Sequence, residues 1–147
     1  MKKIISILFL CLGLFLSACS KPIQYEDFDT YVTMDQIFED WKEYKDDVSY
    51  LFIDCRTTTE RKKACHPYFD YVENKQELKG FVEGYKKNTP IIIMGQNEFD
   101  SRPNEMKEYL VNKGFTNVVI YRLGFENYLT KEGFTPKTGC ATDCGCN

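Results

Sequence analysis

Beyond its first eighteen residues the sequence has no apolar run long enough to cross a bilayer. It has no basic excess. With Lys2 and Lys3 set aside, 17 basic residues face 22 acidic ones, a net charge near −5, and no basic stripe remains. That balance argues against nucleic acid as a partner. There are no internal repeats and only one histidine. One local absence matters more than these. In "PIIIMGQNEFDSRPNEMKEYL", Pro90 to Leu110, an apolar strand runs through a polar loop into a helix, the place where many α/β enzymes hold an anion and a nucleophile. No Cys, Ser, His or Lys stands at the strand exit; Gly95 does.

What is present begins with a basic start, an apolar run from Ile4 to Leu16, and "LSAC" at Leu16 to Cys19. The run is short for a spanning helix and has the flanks of a signal peptide. Small residues ahead of a cysteine resemble a lipoprotein signal. The resemblance implies cleavage after residue 18, then diacylglycerol and fatty acylation on Cys19. Several acyl chains on one residue anchor far better than one. The expected chain is therefore anchored through Cys19 to a membrane of the cell envelope, facing away from the cytoplasm. An uncleaved anchor and a plain secreted protein are the alternatives.

The 129 residues from Cys19 onward suit one domain. Residues 19–32 are polar with scattered aromatics and read as a lipidated tether, 33–135 as the domain, and 136–147 as a cysteine-rich tail. In the domain, Met34, Ile37, Phe38, Trp41 and Tyr44 share a helical face, with Thr33 placed as its cap. Ser49–Asp54, Pro90–Met94 and Asn117–Tyr121 read as strands buried on both sides. Helical patterns at "KQELKGFVEGYKK" and Pro103–Lys113 separate them, and "GFENYLTKEG" reads as a short closing helix. This order predicts an α/β fold: a small, central parallel sheet flanked by helices on both faces.

Over roughly Tyr31 to Phe134 the chain resembles a rhodanese domain. "LFIDCRTTTE" is similar to that family's strand followed by Asp-x-Arg-x-x-x-Glu, here Asp54, Arg56 and Glu60. "PIIIMG" is similar to the strand leading into the active loop, and "YLVNKGFTNVVIYRLGFENY" to the final strand and helix. His66-Pro67 is a loose echo of a further motif, from which Cys65 and Tyr68 depart. The resemblance implies a sulfurtransferase whose loop amides hold an anion and lower the pKa of a cysteine that becomes a persulfide. It also places Gly95 on the cysteine position. Gly95, Gln96, Asn97, Glu98, Phe99, Asp100, Ser101 and Arg102 then form a degenerate active-site loop, about two residues longer than usual. Glu98 and Asp100 would oppose an anionic donor. The expectation is a sulfurtransferase-inactive module that binds a protein or a small anion, or serves structurally. Asp54, Arg56 and Glu60 read as an architectural charge cluster, because partly buried charges need partners.

Cysteine keeps other chemistries open. Cys55, Cys65, Cys140, Cys144 and Cys146 default to disulfides in an exported protein, but five is odd and their connectivity is not readable. Cys55 and Arg61 have the Cys-x5-Arg spacing of phosphate-binding loops, yet that loop has three threonines and no glycine. His66 beside Cys65 reads as a structural turn histidine before a metal ligand. Cys140, Cys144 and Cys146 could hold Cu(I), or Zn with a fourth ligand; the bland reading is a disulfide-capped or disordered tail. An envelope thiol enzyme using Cys65 or these tail cysteines, and a soft-metal-binding lipoprotein, are the alternative functions. The tail has no large apolar residue to pack, so truncation after Gly139 is expected to leave domain stability almost unchanged.

Overall fold

Among the described residues nine elements follow one another: α1 (Tyr31–Tyr44), β1 (Leu51–Asp54), α2 (Thr58–Lys63), β2 (Asp70–Tyr71), α3 (Lys75–Phe81), β3 (Ile91–Met94), α4 (Arg102–Asn112), β4 (Val118–Tyr121) and α5 (Gly124–Tyr128). They belong to a computed structural model that describes residues 23–140. The four strands form one sheet in the order β2-β1-β3-β4, every pair parallel. All residues of β1, β3 and β4 are buried, and the alternation of strand side chains sorts them into two cores. Phe52, Ile92, Met94, Val119 and Tyr121 meet α1 and α5 through Met34, Ile37, Phe38, Phe125 and Tyr128. Leu51, Ile53, Ile91, Ile93 and Val118 meet α3 and α4 through Leu78, Met106 and Leu110. Helices therefore cover both faces, as the apolar runs predict. No helix among the described residues is long and apolar enough to cross a membrane.

Two parts depart from the sequence expectation. The helix α1 begins at Tyr31, three residues before the apolar period starts, because Thr30 rather than Thr33 caps it, accepting the Val32 amide. The segment read as a tether is bonded to the sheet from Ile23 onward. Phe28 pairs with β4, its amide donating to Ile120 and its carbonyl accepting from Arg122. The Asp27 carboxylate accepts the Ile120 amide and pairs with Lys107 and Arg122, while Asn117 donates to the Ile23 carbonyl. A strand edge has free backbone groups, and this polar segment satisfies part of that edge.

The sole histidine is buried in the first core. His66 stacks on Phe38 and Phe134, meets Tyr128 edge-on, and accepts the Tyr68 amide through Nδ1. Burial, then Lys131, depress its pKa to about 4, with Asp35 opposing. The fold therefore favours the neutral ring. Its contribution is complete above the ordinary value near 6.5 and is lost as pH falls toward 4. The expected loss is about 3 kcal/mol over that window. Urea denaturation of wild type and His66→Phe at pH 7 and pH 4 checks this. The wild type should lose more stability than the variant over the window; equal slopes would contradict it.

Candidate functional site

The β1 exit and the β3 exit lie side by side, because Asp54 pairs with Met94 in the sheet. From β1, Asp54 turns back onto Arg56: Arg56 Nε and Nη2 donate to the carboxylate at 3.0 and 2.8 Å, and both side chains are buried. Arg56 also donates to the Ala64 carbonyl and Gln96 Oε1, and lies 3.7 Å over the Phe125 ring. Arg61 Nε stands 3.6 Å from Asp54, with its guanidinium over Tyr71. Thr57 and Glu60 form a capping box that starts α2. That short helix has no apolar period, and its sequence signal is this Thr-x-x-Glu pattern alone.

Glu60 reaches across to the other exit, where Arg102 Nη1 donates to it at 2.9 Å. Burial raises the Glu60 carboxyl, but Arg102 and the Thr57 donors outweigh that and hold it near 2. Asp54, Arg56 and Glu60 thus do not form one triad. Asp54 and Arg56 make a buried pair, and Glu60, on α2, pairs instead with Arg102 beyond β3.

That loop is closed upon itself. The carbonyls of Gly95 and Gln96 accept the Phe125 and Glu126 amides, so α5 begins directly behind the loop. Only glycine allows this approach: Gly124 has φ +67°, and a Cβ there would lie 2.7 Å from the Asn97 amide nitrogen. Glu126 accepts from the side chains of Gln96 and Asn97, and Asn97 Oδ1 accepts the Phe99 amide. Phe99 itself is exposed at the tip. Ser101 Oγ donates to Glu105 at the head of α4.

Asp100 points inward. Its carboxylate accepts the Gln96 amide at 2.8 Å, the Arg102 amide at 3.0 Å, and two guanidinium bonds from Arg102 at 2.7 Å. Burial pushes its carboxyl up, yet Arg102 and the two amides together hold it below the usual range. The hydrogen bonds that Arg102 donates to Asp100 in turn keep Arg102 firmly protonated. The loop's anion is therefore one of its own side chains. A Cβ built on Gly95 would fall 2.5 Å from Asp100 Oδ2 and 2.7 Å from Pro103 Cγ. Gly95 has no positive φ, so space, not backbone conformation, requires glycine here.

The cysteines are placed as follows. Cys55 is buried, its Sγ donating to the Met94 carbonyl, and burial followed by Asp100 and Asp54 pushes its pKa well up. It is poorly suited as a nucleophile, and residues 55–61 cap a helix instead of cradling a phosphate. Cys65 and Cys140 are joined in a disulfide. Neither can act as a thiolate or a metal ligand while it is closed. Cys144, Cys146 and Cys19 lie outside the described residues. Among the described residues no group of three or more His, Cys, Asp or Glu side chains is arranged to hold a metal. Beside the loop, a cleft of about 270 Å³ is lined by Asp29, Glu98, Asp100 and Arg122 among others. Three carboxylates against one guanidinium disfavour a small dianion there.

No protein-family model matches the chain, and no curated protein matches it. Solved structures do. The rhodanese-like domain of the Alr3790 protein from Anabaena superposes with a TM-score of 0.51 at 14% identity, covering 77% of this chain and 98% of that one. The BH2092 protein from Bacillus halodurans gives 0.57 at 15% identity, covering 79% of each chain. The fold is rhodanese-like.

Proposed function

We propose that this chain is an exported, membrane-anchored lipoprotein whose rhodanese-like domain has no sulfurtransferase chemistry at Gly95 and acts as a binding or structural module. The observation that carries the reading is the Asp100 carboxylate, which fills the space a side chain at position 95 would need. A persulfide requires a sulfur nucleophile, and the loop has neither the thiol nor an open anion cradle. The loop is instead tied rigidly to α5 and α4, which suits a fixed surface for a partner better than a site for group transfer.

The test is thiocyanate formation from thiosulfate and cyanide. Wild type should show none. Gly95→Cys should also show none and should lose about 1–3 kcal/mol of stability, because the new side chain overpacks against Asp100 and Pro103. Gly95→Cys combined with a short glycine-containing loop in place of Gln96–Ser101 should gain activity. Turnover by Gly95→Cys alone would refute the blocked-site reading.

The anchor is tested separately. Signal-peptide features end at "LSAC", so Cys19→Ser should remove the acyl mass and shift the protein from the detergent to the aqueous phase of Triton X-114. Unchanged partitioning would contradict the lipoprotein reading.

A further inference from the structure

The segment before α1 runs along the free edge of β4 and parallel to it. The Ile23 carbonyl accepts from the Asn117 side chain, and Phe28 pairs with Tyr121. Ile23 therefore stands at the N-terminal ends of the strands. The Gly95 loop stands at their C-terminal ends, because Met94 pairs with Tyr121. The length of β4, about 13 Å, separates the two. Cys19 is four residues before Ile23, so a lipid on it lies within about 14 Å of Ile23 even at full extension. A leash that short brings the Ile23 end of the domain to the bilayer first.

We propose that this end of the domain lies on the bilayer, with Lys86, Lys87 and Lys113 against anionic lipid headgroups, so that the Gly95 loop faces away from the membrane. The inference rests on the lipid anchor proposed at Cys19 and gives that anchor a docking face on the domain.

The face is built where the connections leading into β3 and β4 meet. The Thr116 amide donates to the Lys87 carbonyl, and Lys87 Nζ lies 4.1 Å over the Phe115 ring. Lys86, Lys87 and Lys113 are exposed, and among the described residues none of them pairs with a carboxylate. Glu83 is the only acidic residue in 82–90 and 113–117. Asp46 and Asp47 precede β1, two strands further from the edge at Ile23. Exposed Tyr85 sits beside Lys86, and a tyrosine suits the headgroup level because its ring is apolar and its tip polar. The opposite end has the other sign, with Asp29, Glu98 and Glu126 exposed around the Gly95 loop. Anionic headgroups attract the first end and repel the second.

Three lysines would hold a free domain of net charge near −5 only weakly. The anchor changes that. A tethered contact forms at high effective concentration, so a weak attraction is enough to set the pose. The attraction reaches about one Debye length, roughly 8 Å at physiological salt.

The experiment inserts full-length protein, purified in nonionic detergent, into preformed phosphatidylcholine vesicles with or without phosphatidylglycerol. Intact mass first reads the acylation of Cys19. Brief acetylation with acetic anhydride, an uncharged reagent, then reads each lysine by mass spectrometry. Lys62 and Lys63, exposed on α2, serve as references. On the anionic vesicles Lys86, Lys87 and Lys113 should react at least about threefold more slowly than in detergent, while Lys62 and Lys63 keep their rates. The protection should largely disappear on neutral vesicles and in about 1 M salt, where the Debye length is about 3 Å. Lys86→Gln with Lys113→Gln should restore the reactivity of Lys87. Equal rates on the two kinds of vesicle, with Cys19 acylated, would overturn the docking face and leave the anchor standing. Absence of the acyl mass would overturn the anchor and the docking face together. Three lysines already slow in detergent, against Lys62 and Lys63, would overturn the lipid contact and assign the face to a second copy of the chain.

Discussion

Asp54→Asn should destabilise the domain by about 3–5 kcal/mol, where a domain ordinarily has about 5–15 kcal/mol. The side chain keeps its shape, so the loss is electrostatic. Arg56 is 1% exposed and would remain buried without its carboxylate, and Arg61 would lose the opposite charge 3.6 Å away. The Ala64 carbonyl and Gln96 would still accept from Arg56, but neither carries charge. Glu60→Gln provides the contrast. Its pair with Arg102 is about a quarter exposed on each side, so solvent screens it, and a glutamine still closes the capping box. Its expected cost is below about 1 kcal/mol. Chemical denaturation of the two variants checks the ranking. Equal costs would show that the Asp54–Arg56 pair is not the charge centre of the β1 exit.

Cys140→Ser should cost about 2–4 kcal/mol, because the bridge joins residues 75 apart in sequence and constrains a long loop in the unfolded chain. Truncation after Gly139 removes the same sulfur and should cost as much. This reverses the expectation from composition, on which the tail is dispensable. Thermal melts of the oxidised protein, its reduced form and both variants should place the last three together, below the first. A truncated protein as stable as the oxidised wild type would show that the bridge contributes nothing.

The sequence made the sheet's centre legible because Leu51–Asp54, Ile91–Met94 and Val118–Tyr121 carry their own signal, continuous apolar runs buried on both sides. Edge elements carry less. The strand β2 is two residues long and half exposed, so no periodicity marks it, and α2 is a single capped turn and a half whose inner face is Arg61. The docking of residues 23–30 depends on Asp27 meeting Ile120 and on Asn117 meeting Ile23, 93 and 94 residues apart, which no local pattern records. The Cys65–Cys140 pairing was unreadable for the same reason. At the loop, the missing thiol was plain from Gly95. The inward turn of Asp100 was not, because a carboxylate in a polar loop is ordinarily solvated. Only the Gln96 and Arg102 amides, together with the Arg102 guanidinium, give it a reason to be inside.

The most direct measurement incubates the chain carrying serine at Cys65, Cys140, Cys144 and Cys146 with thiosulfate, then reads persulfide by intact mass and thiocyanate after cyanide is added. With Asp100 occupying the space beside Gly95, and with Cys55 enclosed in the core, the account predicts neither persulfide nor thiocyanate above the buffer control. Thiocyanate formed over many turnovers by this chain would contradict it.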